Sequence, residues 1–324
     1  MRSQAAISRN DLKQGLLMIS DSNPIILIPA RMNSTRLPNK PLADINGIPM
    51  IVRVWQIAVN ANLGRVIVAS GDSKISEAIQ NEGGEAILTD PALPSGSDRI
   101  FAALEEADPF KKHNIIINLQ GDLPVLERST ITAAYKLMEN EHVDIGTVAA
   151  KITIPEEKLS PSIVKAIVAW NNDGIKGRAL YFTRASAPTG NGPMYHHIGL
   201  YSFRRHALER FVKLPISPLE QQEKLEQLRA LENGMRIEVA LVDNVPFGVD
   251  TPADLEKDDE VIKTANGCAF VVGSHSLMFL IGTEVDYVKS LVGSNFEIRN
   301  PNAHSSCGCG VSVNFDMDKL VPQL

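Results

Sequence analysis

Short apolar runs alternate with amphipathic helical patterns from residue 25 to about 150, and this alternation restricts the possible folds more than any other feature. The runs IILI and IIIN are apolar without alternation, as expected of strands covered on both faces. Repeated strand–helix–strand units predict an α/β fold with a doubly wound, mostly parallel sheet. Ligands of such sheets bind beyond the carboxyl ends of the strands. The predicted strands are 25–28, 65–69, 86–88, 114–119 and 145–149, and the predicted helices lie near 49–61, 73–82, 97–108 and 127–140.

The pattern is less regular after residue 150. The runs VKAIVAW and IGLYSF predict strands, and TRASAPTGNGPM predicts a loop. Helical periodicity returns in 217–233, where we expect Ser217 to be the N-cap and Gly234 to follow the last turn. A second helical pattern covers 252–264, and a short-stranded segment covers 266–316. We therefore expect a disordered extension over 1–23, a main domain over 24–264 and a short β-rich appendage over 265–324.

Composition excludes several classes of function. The chain has 324 residues and a net charge of -6, so bulk attraction to nucleic acid or to an anionic membrane is not expected. No run reaches the ~18 apolar residues of a membrane helix, and we expect no signal peptide, with Met18 as an alternative start. Three cysteines argue against a disulfide framework and for a reducing, cytoplasmic location. Any anion must therefore be bound by a local cluster of cations.

One such cluster lies in IPARMNSTRLPNKPL, residues 28 to 42. Arg31, Arg36 and Lys40 follow the first predicted strand, where backbone amides of the turn can also face an anion. Arginine can hold a phosphate through two parallel hydrogen bonds. The segment is either a phosphate cradle or an ordinary cationic surface turn, and its residues alone do not decide between them.

Two aspartates could bind a metal near that loop. In NLQGDLP, Asp122 follows a buried-looking strand and is expected at the same edge of the sheet. A carboxylate there suits Mg²⁺, which takes few protein carboxylates alongside substrate phosphates. Asp250, in FGVDTPADL, is a second candidate. The alternatives are a turn residue at Asp122 and a helix N-cap at Asp250.

Two further stretches suggest a substrate pocket. In HHIGLYSF, His197 and Tyr201 share one face of a predicted strand, either as a binding pair or as structural residues. In PSGSDRI, we expect Ser97 to cap a helix and to leave Arg99 free to meet an anion.

Six motifs in this order resemble the 3-deoxy-D-manno-octulosonate (Kdo) cytidylyltransferase family: IPARMNSTRLPNKPL, SGSDR, NLQGDLP, HHIGLYSF, SPLEQQEKLEQLR and FGVDTPADL. The resemblance covers about residues 24 to 262, and SGSDR, HHIGLY and LEQLR narrow it to the Kdo-activating branch. It implies a nucleotide-diphospho-sugar transferase-like fold and transfer of CMP from CTP to Kdo, with release of pyrophosphate, for lipopolysaccharide synthesis. It also implies a homodimer.

The resemblance implies roles for residues at matching positions. Arg31, Arg36 and Lys40 would hold the CTP phosphates, and Asp122 and Asp250 would bind Mg²⁺. We take Arg31, Lys40, Asp122 and Asp250 as the catalytic group. The residues expected to line the Kdo pocket, with Gln120 close by, are Arg99, His197, Tyr201, Glu226 and Gln227.

The chain departs from the family's pattern at two positions. Leu123 stands where many members have an acid, and His196 stands where many have arginine. These departures leave open a close analogue of Kdo as the sugar, and the rival within enzymes is another acidic sugar such as sialic acid.

The segment 276–315 resembles the C-terminal half of A-type iron–sulfur carrier proteins. Cys307 and Cys309 match that family's two C-terminal cysteines, while its third cysteine has no counterpart here, because Cys268 does not match the position. We expect a fused fragment that does not carry a cluster. The alternative is an iron–sulfur carrier in which the large domain is inactive.

Overall fold

The computed structural model describes residues 23–32, 37–45 and 47–245 in full and, beyond them, the backbone of six strands between residues 260 and 315. The chain divides into two compact units, 1–255 and 256–324. In the described part of the first unit, a nine-stranded sheet carries helices on both faces. No helix among the described residues is long and apolar enough to cross a membrane.

The elements of the first unit alternate in type as the sequence predicts. Its strands are β1 (Pro24–Ala30), β2 (Asp44–Ile45), β3 (Ile48–Pro49), β4 (Arg65–Ser70), β5 (Glu85–Leu88), β6 (Ile115–Leu119), β7 (Ile145–Lys151), β8 (Lys165–Trp170), β9 (Lys176–Thr183), β10 (Tyr195–Arg204) and β11 (Ile237–Val242). Its helices are α1 (Met50–Ala61), α2 (Ser73–Asn81), α3 (Gly96–Ala107), α4 (Arg128–Lys136), α5 (Pro155–Leu159), α6 (Arg205–Phe211), α7 (Pro218–Glu223) and α8 (Gln227–Glu232).

The large sheet has the strand order β5-β4-β1-β6-β10-β7-β11-β9-β8. β1 pairs in parallel with β4 and β6, and β7 pairs in parallel with β11. Within this sheet only β9 and β10 run against the other strands. The predicted mostly parallel, doubly wound sheet is therefore confirmed, with β10 inserted between its two parallel parts.

Both faces of the sheet are covered, which explains the apolar character of its central strand. All residues of β1 are buried. Ile26 and Ile28 pack with residues of α1, α2 and α4, whereas Ile25 and Leu27 pack with residues of α3, α6 and α8. Each such side chain contributes about 1.5–3 kcal/mol by leaving water. The strand is thus held firmly, and its carboxyl end has a fixed position.

One predicted helix is broken in two. The sequence predicts continuous helix over 217–233, but α7 ends at Glu223, and α8 begins at Gln227. The residue after α7, Lys224, has a left-handed φ of 58°. A left-handed residue cannot continue a right-handed helix, so the chain turns there. The N-cap region is as predicted, because the backbone N–H of Ser217 donates to Glu220 at 3.1 Å. The break turns Glu226 toward Ser95 of another segment.

The described strands of the second unit form three hairpins. They are β12 (Glu260–Lys263) with β13 (Ala269–Val272), β14 (Glu284–Ser290) with β15 (Gly293–Arg299), and β16 (Ala303–Ser306) with β17 (Val313–Phe315). The short-stranded character predicted for this segment is confirmed there. The helix predicted over 252–264 is wrong at 260–263, where adjacent β-branched residues favour a strand. The remainder of that prediction lies outside the described residues.

Candidate active site

The carboxyl ends of β1, β4 and β6 meet at one edge of the sheet. Ala30 pairs with Ser70 at the end of β4, and the Gly71 amide donates to the Ala30 carbonyl at 2.9 Å. After β6, a Cβ at Gly121 would come within 2.9 Å of the Pro29 carbonyl oxygen. Only glycine fits this approach without a shift of the backbone. The turn that follows β6 is therefore packed directly against the end of β1.

The structure brings Lys40 and Asp122 together at this edge. The Lys40 ammonium donates to Asp122 Oδ2 at 3.0 Å, and the Lys40 and Asp122 side chains are 12% and 43% exposed. Lys40 begins a 3₁₀ turn, Lys40–Leu42, which follows left-handed Asn39. The preceding Leu37 is buried against Met50. A partly solvated ion pair of this kind contributes only about 0–1 kcal/mol to stability.

Arg31 follows β1 directly and is exposed at the same edge. Arg99 is close enough that Arg31 affects it: burial, and then the charge of Arg31, lower the pKa of the Arg99 guanidinium. The two arginines therefore contribute positive potential to one region, next to Lys40.

The expectation that Arg99 is free to meet an anion is wrong. The side chain is 2% exposed, and its Nη1 donates to Thr89 Oγ1 at 2.6 Å and to the Asp90 carbonyl at 3.2 Å. Buried guanidinium donors need partners, and this loop supplies them. The expectation that Ser97 caps α3 is also wrong. Ser95 is the N-cap, and its Oγ accepts from the Asp98 amide at 3.1 Å.

His197 lies on β10 in a buried cluster. Its Nε2 is 3.0 Å from Thr147 Oγ1 and its Nδ1 is 3.5 Å from Gln227 Nε2. The ring packs on Phe182 and Tyr201, with centroid distances of 4.7 and 5.5 Å. Burial, followed by the nearby His196, lowers the pKa of His197 to about 3. His197 is consequently a neutral imidazole at physiological pH.

Tyr201 and Glu226 form the polar side of this cluster. Burial, and then the charge of Glu226, raise the pKa of the Tyr201 phenol, so it remains protonated. The Glu226 carboxyl lies 2.8 Å from Ser95 Oγ, and burial raises its pKa. The region thus offers hydroxyl, imidazole, amide and carboxyl groups within a largely buried setting, which suits a polyhydroxylated ligand.

Gln120 lies between the cationic edge and this cluster. Its side chain borders Gly96 at the start of α3 and Gly199 on β10, since a Cβ at those positions would lie 3.8 and 3.5 Å from it. Its Nε2 also donates to Asn118 Oδ1 at 3.3 Å. Because Gln120 directly precedes the Gly121–Asp122 turn, the two groups of side chains are neighbours.

Several predicted residues cannot be placed. Arg36, Asp250, Cys307 and Cys309 lie outside the described residues. Over the part of the chain that is described, no group of three or more histidine, cysteine or acidic side chains is arranged to hold a metal.

The comparisons with known proteins decide the family. A cytidylyltransferase family model matches residues 25–237. A 3-deoxy-manno-octulosonate cytidylyltransferase of Parvibaculum lavamentivorans is 60% identical over 235 residues, which are 72% of this chain and 91% of the relative. The enzyme of the same name from Paramagnetospirillum magneticum is 53% identical over 76% of this chain and 100% of the relative. The chain belongs to the 3-deoxy-manno-octulosonate cytidylyltransferase family.

A solved structure agrees with this membership of the Kdo cytidylyltransferase family. The structure of CMP:2-keto-3-deoxy-manno-octonic acid synthetase complexed with CTP is 38% identical, with a TM-score of 0.65. The match covers 73% of this chain and 96% of that one. The fold predicted from the resemblance is thereby confirmed.

A second family match begins within the last part of the cytidylyltransferase match and covers most of the tail. A family model described as iron–sulphur cluster biosynthesis matches residues 223–311. The resemblance of the tail to iron–sulfur proteins is therefore confirmed at the level of sequence.

The structure shows the surroundings of Leu123 and His196, the two residues that depart from the Kdo cytidylyltransferase pattern. Leu123 is partly buried and packs against the core formed with α1 and α4. His196 pairs across the strands with Lys165, and its buried Nδ1 has no hydrogen-bond partner. Burial, and then the charge of Lys165, lower the pKa of His196 to about 4, so this position carries no charge at neutral pH.

The sequence did not indicate the roles of three polar residues near the cluster. Thr147 is fully buried in β7 and contacts His197, and Ser95 contacts Glu226. Lys165 is fully buried, and its ammonium donates to the carbonyls of Ser160, Ile163 and Arg184. A threonine inside the apolar run IGTVAA was a signal that could have been used, because buried polar groups need partners.

Proposed function

We propose that this chain transfers CMP from CTP to Kdo, giving CMP-Kdo and pyrophosphate. The observation that carries the proposal is the pairing of Lys40 with Asp122 at the carboxyl edge of the sheet. It occurs in a chain that spans nearly the whole length of relatives named for this activity. At this edge the cation suits the phosphates of a nucleoside triphosphate, and the carboxylate suits the metal ion bound to those phosphates.

The reaction joins two anions, so the site has to reduce their repulsion. The anomeric hydroxyl oxygen of Kdo forms a bond to the α-phosphorus of CTP. The bond from that phosphorus to the oxygen that bridges the α- and β-phosphates breaks. Pyrophosphate leaves with the electron pair, and the hydroxyl proton passes to water. Catalysis of such transfers consists mostly of positioning and of stabilising charge on oxygen.

The cationic residues at this edge of the sheet can offset the negative charge of the CTP phosphates. Arg31 and Lys40 bind and orient the phosphates, and Arg36 is assigned the same role from the resemblance. Arg99, which was expected to line the Kdo pocket, is buried, and we assign it no direct contact with the sugar. It fixes the loop of residues 89 and 90 through its bonds to Thr89 and Asp90, and it adds positive potential from beneath the edge.

Magnesium fits the donor chemistry of this edge. Asp122 is a half-exposed carboxylate at the end of β6, and Mg²⁺ takes such oxygens together with substrate phosphates. We assign Asp122 and, from the resemblance, Asp250 as its protein ligands. When bound there, the ion supplies charge neutralisation to the nucleotide phosphates.

The buried cluster on β10 is assigned to the sugar. Neutral His197, protonated Tyr201 and the amides of Gln120 and Gln227 provide donors and acceptors for hydroxyl groups. Their low-dielectric setting excludes water, and it strengthens each hydrogen bond. Kdo is the sugar acid that the family name specifies, and sialic acid is the alternative to be tested. The homodimer and the cytoplasmic location remain predictions.

The test of this proposal is pyrophosphate release. We expect release with CTP, Mg²⁺ and Kdo, and much weaker release with sialic acid or with ATP. The Asp122→Asn variant should lose about a hundredfold in turnover, because the amide no longer supplies a charged ligand. Asp173→Asn, at an exposed turn, is the matched control. Wild-type rates in Asp122→Asn would show that the metal assignment is wrong.

A further inference from the structure

Ser95 lies between two carboxyl groups. Its Oγ is 2.7 Å from Asp98 Oδ2 and 2.8 Å from Glu226 Oε1, both normal lengths for an O–H···O hydrogen bond. The Asp98 amide donates to the same oxygen at 3.1 Å. Three polar groups therefore share one hydroxyl.

The number of protons decides how these contacts can be made. A serine hydroxyl has one donor proton and two acceptor lone pairs. The Asp98 amide uses one lone pair, and the serine proton can serve only one carboxylate. The other carboxyl must then donate to the second lone pair, which requires it to be protonated. With both carboxyls ionised, one of the two short contacts would be a repulsive approach of oxygens.

The surroundings indicate that Glu226 holds the proton. Asp98 lies in the first turn of the twelve-residue helix α3, where the helix dipole favours a negative charge. Glu226 is half-buried near Tyr201 of β10, and this burial raises its pKa. Among the described residues, the cation whose charge acts on Glu226 is Arg229. Its guanidinium also makes two hydrogen bonds, of 2.8 and 2.6 Å, to Glu220 of α7, so Glu226 shares this cation with another carboxylate.

We infer that Ser95 is a positioning residue that holds Glu226 in its protonated form through a hydrogen-bonded chain, Glu226 to Ser95 to Asp98, and so fits the pocket for an anionic sugar. The inference rests on the proposed function. A neutral Glu226 does not repel the carboxylate of a sugar acid, and its carboxyl can still accept a hydrogen bond, as it does from the Ser97 side chain. Ionisation of Glu226 as pH rises would place two like charges together and weaken sugar binding.

The kinetic test compares KM for Kdo across the pH range in which the protein stays folded. In the wild type, KM for Kdo should rise as pH rises, while KM for CTP stays constant. In Ser95→Ala, KM for Kdo should begin to rise at a lower pH than in the wild type. At a pH where wild-type Glu226 is still protonated, KM should be about tenfold higher in the variant, which corresponds to the loss of one hydrogen bond. Ser95→Thr keeps the hydroxyl and should restore the wild-type profile. In Glu226→Gln the amide cannot ionise, so KM for Kdo should no longer change with pH, whatever its absolute value.

Two results would overturn the inference. A rise displaced to higher pH in Ser95→Ala would mean that Ser95 donates to an ionised Glu226. A KM for Kdo that still rises with pH in Glu226→Gln would mean that Glu226 is not the group that titrates. Because Ser95 also caps α3, Asp72→Ala, which removes the cap of α2, controls for loss of a helix cap.

A second readout separates this inference from the proposed function. Infrared spectroscopy of the free protein should show the C=O stretch of a protonated carboxyl, and this band should be absent from Glu226→Gln. As pH is raised, the band should disappear at a lower pH in Ser95→Ala than in the wild type. Absence of this band from the wild type would refute the shared proton even in an active enzyme. Presence of the band without pyrophosphate release would leave the proton chain standing and refute the reaction.

Discussion

At the scale of single residues, burial decides the chemistry of the pocket more than residue type does. The sequence pattern left His197 and Tyr201 as either a binding pair or structural residues. The structure makes both neutral, because burial opposes a charge on either ring. No local pattern could show this, since Thr147, Phe182 and Gln227, which enclose His197, come from three distant segments.

The neutral state of His197 predicts a pH dependence of stability. Its folded pKa of about 3 lies below the ordinary value of 6.5, so the unfolded chain binds the proton more readily between these values. The stabilisation that neutral His197 gives the folded state is fully present above the pKa of the unfolded chain. It is lost as pH falls toward the folded pKa. The free energy of unfolding of the wild type should therefore fall more steeply with acid than that of His197→Gln, by about 1 kcal/mol per pH unit. Denaturant titrations at several pH values measure this, with exposed His142→Gln as control. Equal slopes would contradict it.

At the scale of elements, the strands and helices around the cationic edge were predictable because their apolar periodicity is local. β1, β4 and β6 each follow the predicted run within one residue at most boundaries. The break at Lys224 was not predictable, because a left-handed lysine has no compositional signal such as glycine. The contact between Ser95 and Glu226 joins residues 131 positions apart, which no helical or strand period can reveal.

The turn after β6 gives a prediction at this scale. In Gly121→Ala, the new Cβ would meet the Pro29 carbonyl oxygen at 2.9 Å and Ile51 at 3.3 Å, so the turn must move. We expect about 1–3 kcal/mol of destabilisation. Displacement of Asp122 should lower kcat by about a hundredfold. Thermal unfolding and pyrophosphate release measure the two effects, and Gly192→Ala, where nothing lies within 4 Å, is the control. A Gly121→Ala enzyme with wild-type kcat would show that the turn does not position Asp122.

At the scale of the whole molecule, the chain combines a nearly full-length cytidylyltransferase with part of an iron–sulphur cluster biosynthesis domain. About three quarters of it spans 91–100% of the two cytidylyltransferases compared, so the tail is additional to what those relatives contain. Three of the 32 cationic side chains of this acidic chain, Arg31, Arg36 and Lys40, lie within ten residues after β1, and this is the local cluster that the sequence indicated. Composition alone could not assign the tail, and its family match does not supply the missing third cysteine.

The tail is therefore predicted not to carry a cluster. Iron–sulfur clusters of the common types use four protein ligands, whereas Cys307 and Cys309 provide two. After anaerobic reconstitution with iron and sulfide, the visible spectrum of the full chain should match that of a Cys307→Ser/Cys309→Ser double variant. A band found only in the wild type would contradict this and would support a shared cluster between two chains.

The central claim is the joining of CMP to Kdo, and phosphorus NMR of a mixture of the protein, CTP, Mg²⁺ and Kdo tests it most directly. The account predicts that the three CTP signals are replaced by one phosphodiester signal, from CMP-Kdo, and by pyrophosphate in equal amount. Unchanged CTP, or its conversion to free CMP without a sugar phosphodiester, would contradict it.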